Sequence, residues 1–176
     1  MELKQYQQAV LNDLAQYIAI LKEQESNHKA FSTYWKQKGI TLHQGEETFH
    51  PYCDTMNGAP NMTIKVPTAG GKTFIACNAI RTIFDAMPVN RTKVVAWFVP
   101  SDTILKQTYE NLKNPQHPYR QRIDTLFNGR VEVYDKQALL FGQNFNPTII
   151  KEQLSIFVLS IQSFATKATD KRLVYN

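Results

Sequence analysis

Four consecutive residues, Gly70, Gly71, Lys72 and Thr73, combine the groups with which proteins hold a nucleotide phosphate. Glycines let backbone N–H groups turn toward phosphate oxygens, a lysine reaches the β- and γ-phosphates, and a threonine hydroxyl can bind Mg²⁺. The strict form of such a loop has a glycine six positions before the lysine, where this chain has Val66. The residues therefore predict a phosphate-binding loop that departs from the strict pattern at its first position.

The elements on either side of the loop must position it. Residues 62–66 form a short β-prone run, and residues 73–87 have helical periodicity that Pro88 ends. A strand that enters the loop and a helix that leaves it would aim the helix N-terminus at the phosphate. The alternative is a solvated Gly-Gly turn with an exposed lysine, and the strand–loop–helix order favours the phosphate loop.

Strands and helices alternate along the rest of the chain. Apolar spacing predicts a helix over residues 3–23 and a short one over 28–37. Further strands are predicted over 93–99 (KVVAWFV), 131–134 and 154–160, with a helix over 103–112 between the first two. The near-continuous apolar run at 93–99 is typical of a strand buried on both faces. The class predicted is α/β with a mainly parallel sheet.

Composition and charge favour a polyanionic partner. Residues 1–60 carry 5 Lys+Arg and 7 Asp+Glu, a net charge of −2, whereas residues 61–176 carry 15 and 8, a net charge of +7. A basic half beside a phosphate loop suits nucleic acid. The chain has no signal-peptide pattern, no apolar run long enough to span a membrane, and two cysteines, so we expect a cytoplasmic protein.

Residues 67–73, PTAGGKT, resemble motif I of superfamily 2 helicases and translocases, which typically begins with Pro-Thr rather than with an early glycine. The wording VPTAGGKT, FVPSDTILKQTYENL and SIQSF is most similar to the ATPase subunits of type III restriction enzymes. This resemblance covers residues 1–23 and 61–176. It implies a P-loop RecA-like three-layer fold, ATP and Mg²⁺ as cofactors, duplex DNA as substrate, and a modification (methyltransferase) subunit as partner.

The resemblance also implies which residues bind the nucleotide. Residues 3–7, LKQYQ, resemble the adenine-reading segment of the family, with Lys4 in place of the usual arginine. A glutamine amide offers one donor and one acceptor group to the adenine edge. Within the loop, a lysine would neutralise the β/γ-phosphates and a threonine would bind Mg²⁺. The nucleotide contacts expected are Gln7, Thr68, Ala69, Gly70, Gly71, Lys72 and Thr73.

Two further segments resemble the nucleic-acid contacts of the family. Residues 98–107, FVPSDTILKQ, resemble motif Ia, a strand-to-helix turn that touches the nucleic-acid backbone. Residues 158–164, VLSIQSF, resemble a segment that follows a buried strand and places a hydroxyl near the tracking strand. That hydroxyl would be Ser160 or Ser163. The DNA contacts expected are Ser101, Thr103, Lys106 and Ser160.

Hydrolysis in this superfamily needs an Asp-Glu pair at a later strand end, and no predicted strand of this sequence ends in one. We therefore expect the first 60 residues to hold the N-terminal helix and an irregular insert, and residues 61–176 to be the first part of a RecA-like domain. By this expectation the chain is an N-terminal part of a larger ATP-dependent translocase and is inactive alone. The alternatives are another superfamily 2 helicase, a small P-loop kinase, or a non-catalytic DNA-binding module.

Overall fold

The computed structural model describes residues 1–40, 51–88, 91–142 and 148–163. The chain forms two compact units, one over residues 2–86 and one over residue 1 together with residues 87–176. The loop with Lys72 therefore shares a unit with the N-terminal helices. The domain division predicted between residues 60 and 61 stays a prediction.

Three helices build the first unit: α1 (Gln5–Glu23), α2 (Asn27–Gln37) and α3 (Lys72–Asp85). All three were predicted. The helix α1 packs against both α2 and α3, and it buries a stripe of residues three or four apart, as an amphipathic helix does. The buried residues of α1 are Gln7, Leu11, Leu14, Tyr17 and Ile20.

Val66, which stands where the strict phosphate-loop pattern has glycine, is a core residue of the first unit. It is buried in a cluster with Leu11 of α1 and Ile75 of α3. The side chain therefore fixes the start of the loop to the two helices by apolar packing.

The strand predicted over residues 62–66 is wrong: no strand is assigned there. Residues 61–65 are exposed, and only Val66 is buried. A β-prone run becomes a strand only when neighbouring strands take up its backbone hydrogen bonds, because sheet propensity reflects packing on a pleated surface rather than an intrinsic backbone preference.

The second unit contains a parallel sheet of three strands: β1 (Lys93–Val99), β2 (Val131–Tyr134) and β3 (Leu154–Ser160), in the spatial order β1-β3-β2. Leu154 at the start of β3 lies opposite both Lys93 and Val131. The strands have the predicted limits, and the α/β class with a parallel sheet is confirmed.

Helices connect the strands of this sheet along the chain. The predicted α4 (Asp102–Lys113) packs on all three strands. Two helices were not predicted, α5 (Pro118–Leu126) and α6 (Lys136–Phe141), and α6 packs on β2 and β3. Single 3₁₀ turns, Ile149–Lys151 and Ile161–Ser163, flank β3.

The prediction that the run at 93–99 is buried on both faces is wrong for β1 and holds instead for β3. Every residue of β3 is buried, whereas exposure alternates along β1. The side chains of Val94 and Phe98 are 46% and 50% exposed. The reason is position: β3 lies between two strands, whereas β1 is an edge strand of the sheet formed by the described residues.

Arg120 of α5 joins three elements of the second unit. Its Nε donates to both carboxylate oxygens of Asp124 at 2.9 Å. Its terminal nitrogens donate to the carbonyl oxygen of Val131 in β2 at 3.0 Å and to that of Leu112 in α4 at 3.4 Å. One partly buried guanidinium thus satisfies acceptors on a helix, a strand and its own helix.

Candidate nucleotide-binding site

The loop between Val66 and α3 is a tight turn. The Gly70 N–H donates to the Pro67 carbonyl oxygen at 3.0 Å. Two residues have left-handed backbone, Ala69 with φ 61° and Gly71 with φ 69°. Gly71 is the N-cap residue of α3 and makes no side-chain cap. The helix dipole favours an anion at this end of the helix.

Both glycines are required by their close neighbours as well as by the turn. A Cβ atom at Gly70 would lie 2.5 Å from Cγ1 of Val66 and 2.9 Å from the Pro67 carbonyl oxygen. A Cβ atom at Gly71 would lie 2.6 Å from Nε2 of Gln7. The sequence explained these glycines by the approach of a phosphate, and the structure adds that the protein itself packs closely against both of them.

Lys72 and Thr73 form the first turn of α3. The exposed Lys72 ammonium donates from Nζ to the Pro67 carbonyl oxygen at 3.0 Å, so it lies over the backbone of the loop. Thr73 is half-buried, while Thr68 and Ala69 are exposed. The lysine and threonine thus begin the helix directly after the turn, as their predicted roles require.

Gln7 meets the loop from α1. Its side chain is only 3% exposed. Its Oε1 accepts from the Lys4 N–H at 3.0 Å, and its Nε2 donates to the Gly70 carbonyl oxygen at 3.2 Å. This hydrogen-bond network defines the orientation of the amide. The amide has one further N–H and one further lone pair, and its role toward adenine stays a prediction.

An apolar face of α3 is buried in the core of the first unit, and the N-terminus of the helix lies at the loop. Phe74, Cys77 and Ile80 are buried on this face. Burial raises the pKa of the Cys77 thiol to about 12, so the thiol stays protonated as a core group. The nucleotide candidates of the sequence are thus brought together within residues 2–86.

The candidate nucleic-acid contacts lie within residues 87–176, at one edge of the sheet. The strands β1 and β3 are parallel, and Val99 lies opposite Ser160, so both strands end at the same edge. Ser101 follows β1 and caps α4, because its Oγ accepts from the Ile104 N–H at 3.4 Å. Thr103 and Lys106 are exposed on α4.

Ser160 differs from these residues because its side chain is 1% exposed. Ser163 ends the 3₁₀ turn Ile161–Ser163 that follows β3. The predicted roles of all four DNA-contact candidates stay predictions.

A family model described as "Type III restriction enzyme, res subunit" matches residues 1–175. The chain belongs to this family. It is therefore a helicase-like ATPase domain of the P-loop class, from a type III restriction enzyme family that generally uses ATP and Mg²⁺. No curated protein and no solved structure gave a match to the chain.

The family match includes residues 24–60, the stretch outside the resemblance drawn from the motifs. In the described parts of the chain no helix combines the length and the apolar character that a membrane span requires.

One contact of the site was missed by sequence reasoning. The Tyr6 hydroxyl donates to the Gly70 carbonyl oxygen at 2.9 Å across 64 positions of sequence, and no local pattern signals such a bond.

Proposed function

We propose that this domain binds Mg-ATP in a type III restriction enzyme and couples ATP hydrolysis to movement along duplex DNA. The observation that supports this most strongly is the convergence of three groups on one turn. The left-handed turn at Gly71, the Lys72 ammonium and the buried Gln7 amide meet at the N-terminus of α3. The Gly71 turn and the Lys72 ammonium match the phosphates of a nucleotide, and the Gln7 amide matches its base.

Each residue of the site has a distinct task in this proposal. Lys72 leaves the Pro67 carbonyl oxygen for the β/γ-phosphates, where its positive charge offsets the charge that develops in the transition state. The hydroxyl of Thr73 would hold Mg²⁺, which would supply positive charge to offset that of the phosphates. Gln7 uses its remaining N–H and lone pair to select adenine.

DNA binds at the sheet edge formed by the ends of β1 and β3. Ser101, Thr103 and Lys106 contact the phosphate backbone there, since hydroxyl groups and a cation at a helix start suit phosphate without reading sequence. Ser160 supports this edge from the end of β3. The net charge of +7 over residues 61–176 attracts the polyanion. A methyltransferase subunit is the partner proposed for the complete enzyme, in the cytoplasm.

The direct test measures ATP hydrolysis by the full-length protein with and without duplex DNA, together with displacement of a triplex-forming strand. We expect duplex DNA to raise the hydrolysis rate and the triplex strand to be released with ATP. Release of one strand of the duplex itself would instead indicate a helicase. Phosphate transfer to a small metabolite without any response to DNA would contradict the proposal in favour of a kinase.

Replacing Lys106 with alanine is expected to make the salt dependence of DNA affinity shallower. Loss of one phosphate contact lowers the slope of log K against log salt concentration by about 0.9 for duplex DNA. The measurement is fluorescence anisotropy with duplexes of unrelated sequence at several salt concentrations. Lys36→Ala removes another exposed lysine, from α2, and serves as the matched control. Slopes that are the same for both variants would remove Lys106 from the DNA surface.

A further inference from the structure

Two side chains at the N-terminus of α1 donate to the same atom of the phosphate loop, the carbonyl oxygen of Gly70. The Tyr6 hydroxyl donates to this oxygen at 2.9 Å, and Nε2 of Gln7 donates to it at 3.2 Å. A carbonyl oxygen has two lone pairs, so both hydrogen bonds form at once. The oxygen is thereby saturated with donors from two successive residues of one helix.

The loop needs such restraint because part of it has a conformation that its residues do not favour. Ala69 has φ 61°, a left-handed backbone that residues with a Cβ atom rarely adopt. A conformation of this kind persists only where the surrounding contacts over-determine it. The two hydrogen bonds hold the Gly70–Gly71 peptide, one residue after Ala69, and are contacts of this type.

Fixing the carbonyl also fixes an N–H group. The peptide between Gly70 and Gly71 is trans, so its N–H points opposite to its C=O. Because the carbonyl oxygen faces the donors on α1, the Gly71 N–H faces away from them. In a phosphate loop, backbone N–H groups of this kind are the ligands of the phosphate oxygens.

We infer that Tyr6 is a positioning residue for a polyphosphate ligand. Its hydroxyl holds the Gly70–Gly71 peptide so that the Gly71 N–H is oriented before the phosphates arrive. Gln7 donates to the same oxygen, but its hydrogen bond at 3.2 Å is longer than the 2.9 Å bond from Tyr6. The Tyr6 hydroxyl has the Gly70 oxygen as its hydrogen-bond acceptor. The inference rests on the proposed nucleotide site and names the part of the ligand, the polyphosphate chain, on which Tyr6 acts.

The test compares Tyr6→Phe with the wild type in the full-length protein. Inorganic tripolyphosphate and adenosine serve as separate competitive inhibitors of ATP hydrolysis. Loss of one neutral hydrogen bond is expected to raise the inhibition constant of tripolyphosphate about two- to tenfold. The inhibition constant of adenosine should stay unchanged, because the hydroxyl contacts the loop. Hydrogen exchange in the loop peptide should be faster in Tyr6→Phe without any ligand.

Tyr34→Phe is the matched control, because it removes a hydroxyl from the same compact unit that interacts with Asp13 rather than with the loop. It should leave both inhibition constants at their wild-type values. A purely structural role for Tyr6 would lower the thermal midpoint and leave the ratio of the two inhibition constants unchanged, and this result overturns the inference.

Two outcomes separate this inference from the proposed function. If tripolyphosphate binds the wild type, Lys72→Ala abolishes this binding and Tyr6→Phe leaves it unchanged, the inference about Tyr6 is wrong and the nucleotide site stands. If tripolyphosphate binding does not depend on Lys72, the nucleotide site itself is wrong, and the role of Tyr6 is overturned together with it.

Discussion

Replacing Lys72 with alanine in the full-length protein is expected to lower the rate of ATP hydrolysis by about a hundredfold or more. Lys72 begins α3, and its ammonium donates to the Pro67 carbonyl oxygen at 3.0 Å, over the backbone of the loop. The positive charge of Lys72 stabilises the transition state, so removing the side chain is expected to lower kcat. Since Lys72 is exposed, the free energy of unfolding should change by less than about 0.5 kcal/mol.

The assay is release of inorganic phosphate under saturating Mg-ATP and duplex DNA, with circular dichroism to confirm folding. Lys65→Ala is the matched control, because it removes another exposed lysine from the same compact unit before the loop begins. Its hydrolysis rate should equal that of the wild type. Turnover of Lys72→Ala at the wild-type rate would refute the assignment of this lysine to the phosphates.

Replacing Arg120 with leucine is expected to lower the free energy of unfolding by about 2–4 kcal/mol. The side chains of Arg120 and Asp124 are 14% and 29% exposed. Leucine keeps part of the apolar stem, but it leaves the Asp124 carboxylate and the carbonyl oxygens of Leu112 and Val131 without this donor. The loss should appear as a lower urea midpoint with an unchanged slope.

Arg81→Leu provides a control with the same change of residue and the same helical spacing. Arg81 pairs with Asp85 at 2.8 Å, but the two side chains are 44% and 56% exposed. An ion pair this exposed is worth between about 0 and 1 kcal/mol, since water and salt screen it. Equal destabilisation by the two variants would mean that burial and the two carbonyl contacts of Arg120 contribute nothing.

Apolar runs were sufficient to locate the sheet. The strands Lys93–Val99, Val131–Tyr134 and Leu154–Ser160 were predicted with the limits that they have, because each is a dense run of β-branched and aromatic residues. The helices α5 and α6 were missed because they are short and weakly patterned. Their clearest signals are at the ends: His117 and Asp135 accept hydrogen bonds from the backbone of the first turn.

Features that depend on neighbours could not be predicted in the same way. Which strand is buried on both faces depends on the order β1-β3-β2, and apolar content alone does not encode this order. Residues 62–66 have strand propensity without being a strand.

The candidate site likewise has one part that the sequence predicts and one part that it does not. The Gly-Gly-Lys-Thr stretch predicts the loop, whereas the hydrogen bond from Tyr6 to Gly70 joins residues 64 positions apart and is visible only in the fold.

The burial of Val66 has an evolutionary consequence. A lineage that acquired glycine at this position would gain a more flexible backbone and lose a buried side chain that packs with Leu11 and Ile75. The single substitution would leave a void, and voids in cores cost about 1 kcal/mol or more for each methyl-sized group removed. The two versions of the loop are therefore not interchangeable by a single substitution without loss of stability. A larger neighbour on α1 or α3 would have to fill the space, so residue 66 is expected to change together with the residues that it touches.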